Sequence, residues 1–350
     1  MDRRKLLMGG IASPFASIGR AWAGDDGAIP IGDMHTHLFF LGPNAAPIRP
    51  LGRSMALGQA TLVAWSLVGD MPWIQASATG LRQKGAPGPG AATAWFWQEV
   101  GRIKQHIVEQ KLKTVAVPED IDRALDGDPH VVLAIEGASF LDDGIDGLQA
   151  VHQAGFRHIQ LVHFIRNAIG DFQTERPHHE GLSEYGRKVV KECNRLGILV
   201  DLAHCSSATV QQALAVSGAP MVWSHGSVVE AGSQKRSAPW QVRQLDLDKA
   251  RAIAAKGGVV GLWGLSSDVG TTIEAYAHRL EQMAHWLGDE HVAFGSDMNA
   301  LRNPAIASFA DLRRVVTYLE KRGWNRSRAR NIAIGNYARV LRRAMQPGPA

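Results

Sequence analysis

Two histidines at spacing two, His35 and His37 in Ile-Gly-Asp-Met-His-Thr-His-Leu, are the first residues of the chain that could do chemistry. If Ile31 to His37 is a β-strand, side chains two apart leave the same face, so both imidazoles project from one strand end as a pair of metal donors. Alone, such a pair is as readily packed or solvated as it is a ligand set. Five further donors stand at the ends of later apolar runs: Glu136 in Leu-Ala-Ile-Glu-Gly, His163 in Leu-Val-His-Phe, His204 in Asp-Leu-Ala-His, His225 in Trp-Ser-His-Gly and Asp297 in Gly-Ser-Asp-Met. Imidazole and carboxylate suit divalent zinc or manganese, and of the two only a carboxylate can bridge a pair of ions, which makes Glu136 the natural bridge. Two ions roughly 3.5 to 4 Å apart would share a water, bring its pKa toward neutrality and polarise a carbonyl, which is hydrolytic chemistry.

These residues must be carried to one place, and the pattern of the chain supplies the means. From Gly24 onward β-rich apolar runs alternate with helical patterns. Eight runs read as strands: Ile31 to His37, Thr61 to Val68, Val131 to Glu136, His158 to His163, Ile198 to His204, Met221 to His225, Gly258 to Gly264 and His291 to Asp297. Eight parallel strands with intervening helices close a (β/α)8 TIM barrel, whose strand ends meet at a common mouth. Helix punctuation agrees with the alternation. Ser183 is placed to cap a helix with Tyr185, Val189, Val190, Cys193 and Leu196 on its apolar face, ended by Gly197. Ser308 with Asp311 predicts a capped helix before Gly323, and Ser206 or Ser207 begins one that stops before Gly218. Residues 69–92, rich in Gly and Pro, read as a loop or lid over the mouth, and Trp65, Trp73, Trp95 and Trp97 read as packing residues more readily than as a substrate pocket. The glycines precede no helix in a phosphate-loop pattern, and no internal repeat or linker divides residues 24–350, so a single hydrolase barrel is expected.

Asp33-Met34-His35, Ala134-Ile135-Glu136-Gly137, Leu161-Val162-His163, Gly181-Leu182-Ser183-Glu184-Tyr185-Gly186, Asn194-Arg195-Leu196-Gly197, Asp201-Leu202-Ala203-His204, Ser224-His225, Gly295-Ser296-Asp297 and Gly335-Asn336-Tyr337-Ala338-Arg339-Val340 occur in that order. From about residue 30 to 345 the chain thereby resembles the membrane dipeptidase (renal dipeptidase) family. The resemblance implies an amidohydrolase-like barrel with two divalent ions, zinc first among them, that cleaves dipeptides, in some members those with a D residue at the carboxyl end. It implies that His35 binds the first ion, Glu136 bridges, and His204 and His225 bind the second. It further implies that His163 steadies the oxyanion, Asp297 carries the proton and Arg243 holds the substrate carboxylate. Two positions depart from the family pattern. His37 stands where the family generally has Asp, which would leave the site near +2 rather than +1. Gln244 follows Arg243 where Asn is usual, and a surface ion pair of Arg243 with Asp246 or Asp248 is the alternative reading of that arginine.

Asp2-Arg3-Arg4-Lys5 ahead of an apolar run to Ile18, with Ala21-Trp22-Ala23 as a cleavage site, predicts a twin-arginine-type signal over residues 1–23 and a periplasmic or secreted protein. That run is too short to span a bilayer, so no stable membrane insertion is expected after cleavage. Removing Arg3, Arg4, Lys5 and Arg20 against Asp2 takes the formal charge from +5 to +2, so the basicity belongs mostly to the signal. The basic stretch around Lys321, Arg322 and Arg326 to Arg330 reads as a solvated helix face rather than a nucleic-acid surface. Two cysteines, Cys193 and Cys205, make neither a disulfide framework nor a thiolate site, although one pairing is open. The substrate side is open as well: a dipeptide, another small amide or lactone on the same centre, or a peptide bound without turnover. So is the oligomeric state, a homodimer included.

Overall fold

A computed structural model of the chain describes residues 27–37, 50–77, 80–230 and 238–346. The signal expected over residues 1–23 therefore lies outside the described residues. Eight parallel strands follow in the order β1 (Ile31–Thr36), β2 (Ala60–Val68), β3 (His130–Glu136), β4 (Phe156–Gln160), β5 (Leu199–Asp201), β6 (Val222–Trp223), β7 (Val259–Leu262) and β8 (Val292–Phe294), each paired with the next. All nine residues of β2 and all seven of β3 are buried, because barrel strands are covered on one side by helices and on the other by the barrel interior. The (β/α)8 expectation is therefore met.

Closure depends on the stretch after β8. Thr36 bridges Met298 in parallel, the His37 amide donates to Met298 O at 3.0 Å and the Asp297 amide to His35 O at 3.0 Å. Asp33, wholly buried in β1, crosses this seam: its carboxylate accepts from the Ser296 amide at 2.9 Å, the Ser296 hydroxyl at 2.5 Å and the His35 amide at 3.2 Å. Burial pushes the Asp33 carboxyl up to about 7 against the pull of those donors. Asp33→Ala strips three buried donors of their acceptor and is expected to lower stability by about 3 kcal/mol, whereas Asp33→Asn, close to the protonated acid in shape, costs less. Urea unfolding of the metal-free variants checks this, and equal losses in both would contradict it.

The helices sit where their punctuation predicts. After α1 (Leu51–Gly58), α2 (Ala91–Glu109), α3 (Pro118–Leu125) and α4 (Gly147–Gln153) comes α5 (Glu184–Leu196), capped by Ser183 and ended by a left-handed Gly197. Ser206, rather than Ser207, caps α6 (Ser207–Val216), and after α7 (Leu247–Ala255) and α8 (Ile273–Leu287) Ser308 caps α9 (Phe309–Lys321). The last helix, α10 (Asn336–Met345), follows a π-helical turn, Asn331–Gly335, and closes the barrel floor: Ile334, Tyr337 and Leu341 pack with Met34, Leu62, Ala64, Val132, Val222 and Val259.

Two expectations need adjusting. Within residues 69–92, Ile74–Ser77 pairs antiparallel with Gly80–Gln83 to form a hairpin, and Gln83 Oε1 accepts from the Arg166 amide at 3.1 Å, tying the hairpin to the loop after β4. The strands also stop earlier than their apolar runs: β4 ends three residues before His163, β5 three before His204 and β8 three before Asp297. Runs such as Leu161-Val162 and Leu202-Ala203 stay buried after the ladder ends, so burial alone extended the reading. Trp65 is fully buried in the core and Trp97 packs against it, as packing residues do.

Candidate metal centre

Seven donors from six strands converge above the barrel. His35 lies in β1 and Glu136 ends β3, while His163, His204, His225 and Asp297 stand two or three residues beyond β4, β5, β6 and β8, and His37 directly follows β1. All are buried. His204 and Asp297 adopt left-handed backbone (φ 68° and 55°), a conformation L residues seldom hold and one that turns the chain out of the ladder to aim the side chain inward. Gly261 in β7 and Gly295 just after β8 let the backbone approach Ser224 O more closely than any Cβ would allow.

Glu136 is the hub. Its Oε1 lies 3.5 Å from His35 Nε2, 3.4 Å from His163 Nε2, 3.3 Å from His204 Nε2 and 3.5 Å from His225 Nε2, and its Oε2 lies 3.4 Å from His37 Nε2. Ligands about 2.0 to 2.2 Å from one tetrahedral ion stand about 3.3 to 3.6 Å apart, so these separations are those of a coordination shell rather than of hydrogen bonds. Three donor sets have all their ligand atoms within 4.8 Å of one another: His35, His37 and Asp297; His35, Glu136 and His225; Glu136, His163 and His204. Glu136 Oε2 is buried with no hydrogen-bond partner, a costly state for a carboxylate oxygen unless a cation meets it. The imidazoles are turned the same way. His37 Nδ1 lies 3.0 Å from Ser66 O, an acceptor that fixes the proton on Nδ1 and leaves the Nε2 lone pair facing the centre. His35 Nδ1 faces the hydroxyls of Ser66 and Ser224, and His225 Nδ1 that of Ser224 at 2.9 Å. The residues present thus fit divalent ions.

The charges follow from this packing. Burial opposes ionisation of Glu136, but His163, His35 and His37 outweigh it and hold the carboxyl well below its ordinary range. Burial, helped by Arg243 at His204 and by His35 at His225, keeps both of those imidazoles well below their usual value and so neutral, as ligands require. His163 goes the other way: burial disfavours its cation, yet Asp70 and Glu136 raise it. Asp70 Oδ1 accepts from His163 Nδ1 at 2.6 Å, and Oδ2 accepts from the Phe164 amide at 3.1 Å. His37 is raised too, Glu136 and Asp297 overcoming its burial.

Arg243 is buried rather than paired with Asp246 or Asp248 at the surface. It donates to Gln173 Oε1 at 2.6 Å, and its guanidinium lies 3.3 Å from His225 Nε2. Burial brings it down to about 10, which leaves it charged at neutral pH. Gln244 points away, to Ser227 Oγ and Asp268 Oδ1. His178 and His179 stay out of the centre, their amides held by Asp171. Cys193 and Cys205 are both buried and free. Sequence reasoning missed Asp70, Ser66 and Gln173: Ser66 lies within a predicted strand but carries no chemistry of its own to mark it, and Asp70 and Gln173 sit in no motif. Asp70, a carboxylate two residues past β2, had the strand-end position as its only signal.

Residues 81–347, more than half of the chain, match the family described as membrane dipeptidase (peptidase family M19). The chain belongs to the membrane dipeptidase family. Among curated relatives, dipeptidase verJ of Clonostachys rogersoniana is 30% identical over 60% of this chain and 54% of its own, and dipeptidase 3 of Mus musculus is 26% identical over 61% and 44%. The chain thus spans about half the length of the curated relatives it matches. Among solved structures, the metallo peptidase from Rhodobacter sphaeroides liganded with a phosphinate mimic of the dipeptide L-Ala-D-Ala is 19% identical with a TM-score of 0.72, covering 91% of this chain and 99% of its own. The amidohydrolase from Pseudomonas aeruginosa gives 20% identity and a TM-score of 0.71 over 90% and 96%. These two share the fold. The family match begins at residue 81 and so leaves out β1 with His35 and His37, whereas the sequence motifs put the start of the likeness near residue 30.

Proposed function

We propose that the chain is an exported dipeptidase that works with two divalent metal ions, zinc being the ion its imidazole and carboxylate donors suit best. The observation that carries this reading is the buried Arg243, fixed by Gln173 and touching His225, which places a guanidinium fork beside the ligand cluster where the free carboxylate of a dipeptide can be gripped. His35, His37 and Glu136 would hold one ion and Glu136, His204 and His225 the other. Bound there, the ions would supply a nucleophile at neutral pH and polarise the scissile carbonyl. The chain's own groups complete the reaction. His163, whose protonated form Asp70 and Glu136 favour against burial, would donate from Nε2 to the oxygen on which negative charge develops. Asp297, 3.4 Å from His37 and the least buried of the seven side chains, carries a proton to the leaving amine. The twin-arginine-type start supports export, and no helix among the described residues is long and apolar enough to cross a membrane.

The Rhodobacter structure's L-Ala-D-Ala mimic makes a D residue on the carboxyl side a substrate feature to test here. Metal-loaded protein is expected to hydrolyse L-Ala-L-Ala or L-Ala-D-Ala and to leave the corresponding dipeptide amides, which lack the carboxylate, largely untouched. Arg243→Leu should lower kcat/KM for the dipeptide about 10- to 100-fold, the worth of a charge-assisted hydrogen bond, while hardly changing that for the amide. Turnover of N-acetyl amino acids or lactones without any dipeptide turnover would favour the other hydrolase reading, and no turnover of either would favour peptide binding.

A further inference from the structure

Opposite the metal centre, at the amino-terminal ends of the strands, lies a second concavity of about 490 Å³, lined by Leu125, Glu290, Arg330, Arg339, Arg342 and Arg343 among others. Its position follows from its neighbours: Leu125 ends α3 ahead of β3, and Glu290 sits just before β8. Arg339, Arg342 and Arg343 recur at the three- and four-residue spacing that lines up one face of α10, and Arg330 joins them from the end of a short helix, Arg326–Arg330. Last-turn arginines alone would be ordinary compensation of the helix dipole. What differs here is how they are held. Elsewhere on the surface arginines pair with carboxylates, as in Arg102 with Glu99, Arg187 with Glu184, Arg195 with Glu192 and Arg314 with Asp311. In the basal groove, among the described residues, Arg342 forms an ion pair with Asp122, and Arg339 feels the Glu290 carboxylate without a direct ion pair to it. Arg330 is oriented by Leu125 O at 3.1 Å, Arg339 by Gly257 O at 2.9 Å and Glu290 O at 2.6 Å, and Arg343 by the Gln346 amide oxygen at 3.2 Å. Carbonyl oxygens fix a guanidinium without cancelling its charge, and each guanidinium has five N–H donors of which these bonds use one or two. Four cations against Glu290 and Asp122 leave a net positive concavity of pre-oriented forks, which matches the oxygens of a phosphate.

We propose that the basal groove binds a phosphate-bearing anion, either a soluble phosphate or the headgroup of an anionic phospholipid, independently of the metal centre. The test uses the full metal-loaded chain and its Arg339→Ala/Arg343→Ala variant. Inorganic phosphate is titrated by calorimetry, and vesicles of mixed phosphatidylglycerol and phosphatidylcholine are compared with phosphatidylcholine alone by co-sedimentation. At low salt at least one probe should bind the wild type about tenfold or more tightly than the variant, and that difference should shrink at about 0.5 M NaCl as screening sets in, with dipeptide turnover unchanged in both proteins. Phosphate binding without vesicle binding identifies a soluble ligand; vesicle binding relieved by the variant identifies a headgroup. Arg343→Glu, which alters an exposed side chain, serves as a second variant should loss of the Arg339 bonds harm folding, and it should weaken the same probe about fivefold. Phosphate affinity identical in wild type and variants would assign the anion to the metal centre and overturn the proposal, as would the absence of any binding.

Discussion

Glu136→Gln is expected to remove metal and activity together, whereas Asp297→Asn removes activity and keeps the metal. Glu136 is the one residue whose two oxygens reach both halves of the cluster, Oε2 toward His37 and Oε1 toward His35, His163, His204 and His225. An amide in its place takes away the charge that offsets two dications, and its N–H donors would occupy imidazole lone pairs that should face a cation. Lewis-acid stabilisation worth several kcal/mol should go with the ions, a fall in kcat/KM of about a thousandfold or more. Asp297 stands differently, at the edge of the cluster with one oxygen 3.4 Å from His37 Nε2. As a proton carrier its loss should cost about a hundred- to ten-thousandfold in kcat while two equivalents of metal remain by elemental analysis. Loss of one equivalent from Asp297→Asn would instead make Asp297 a ligand in the group it forms with His35 and His37. Retention of both ions by Glu136→Gln would remove the bridge from the scheme altogether.

Much of this centre was legible in the sequence because a barrel converts a linear pattern into a spatial one. Residues at the carboxyl ends of parallel strands meet at one mouth whatever their separation in the chain, so His35, Glu136, His163, His204, His225 and Asp297 could be grouped from apolar runs alone. What could not be read were contacts that depend on how loops return. Asp70 orients His163 across 93 residues, and the Gly69-Asp70-Met71-Pro72 context offers no period to mark it. Gln173 holds Arg243 across 70 residues from a stretch without secondary structure. Ser66 and Ser224, neutral and small, carry no sequence signal of their role in fixing imidazole tautomers. Asp33 was visible as part of a motif, but that it ties β1 to the segment after β8 is a property of closure, not of local sequence. The arginines of the basal groove were split the same way: Arg326 to Arg330 look like a solvated basic face, and only α10 folding under the barrel brings Arg330 beside Arg339 and Arg343.

His37→Asp should separate the two consequences of having an imidazole where the family generally has a carboxylate. His37 is held by Ser66 O and faces Glu136 and Asp297, which raise its pKa despite burial. A ligand with a raised pKa is protonated over a wider range of pH, so protons displace the first ion as pH falls through that raised value. A carboxylate, with an ordinary pKa about 2.5 units lower, should retain metal to a pH about one unit more acidic even after its neighbours raise it. The catalytic limb moves the other way. One more negative charge beside the ions makes water at the centre harder to ionise, so with metal in excess the acid limb of kcat/KM should shift up by about one unit. Metal content against pH and the pH–rate profile of metal-saturated enzyme thus move in opposite directions if His37 is a ligand. A purely structural His37 would move neither in that way: its loss would lower stability through the broken bond to Ser66 O and leave both midpoints in place. The ligand pair on β1 would then reduce to His35 alone, with Asp297 the remaining candidate for the vacant position.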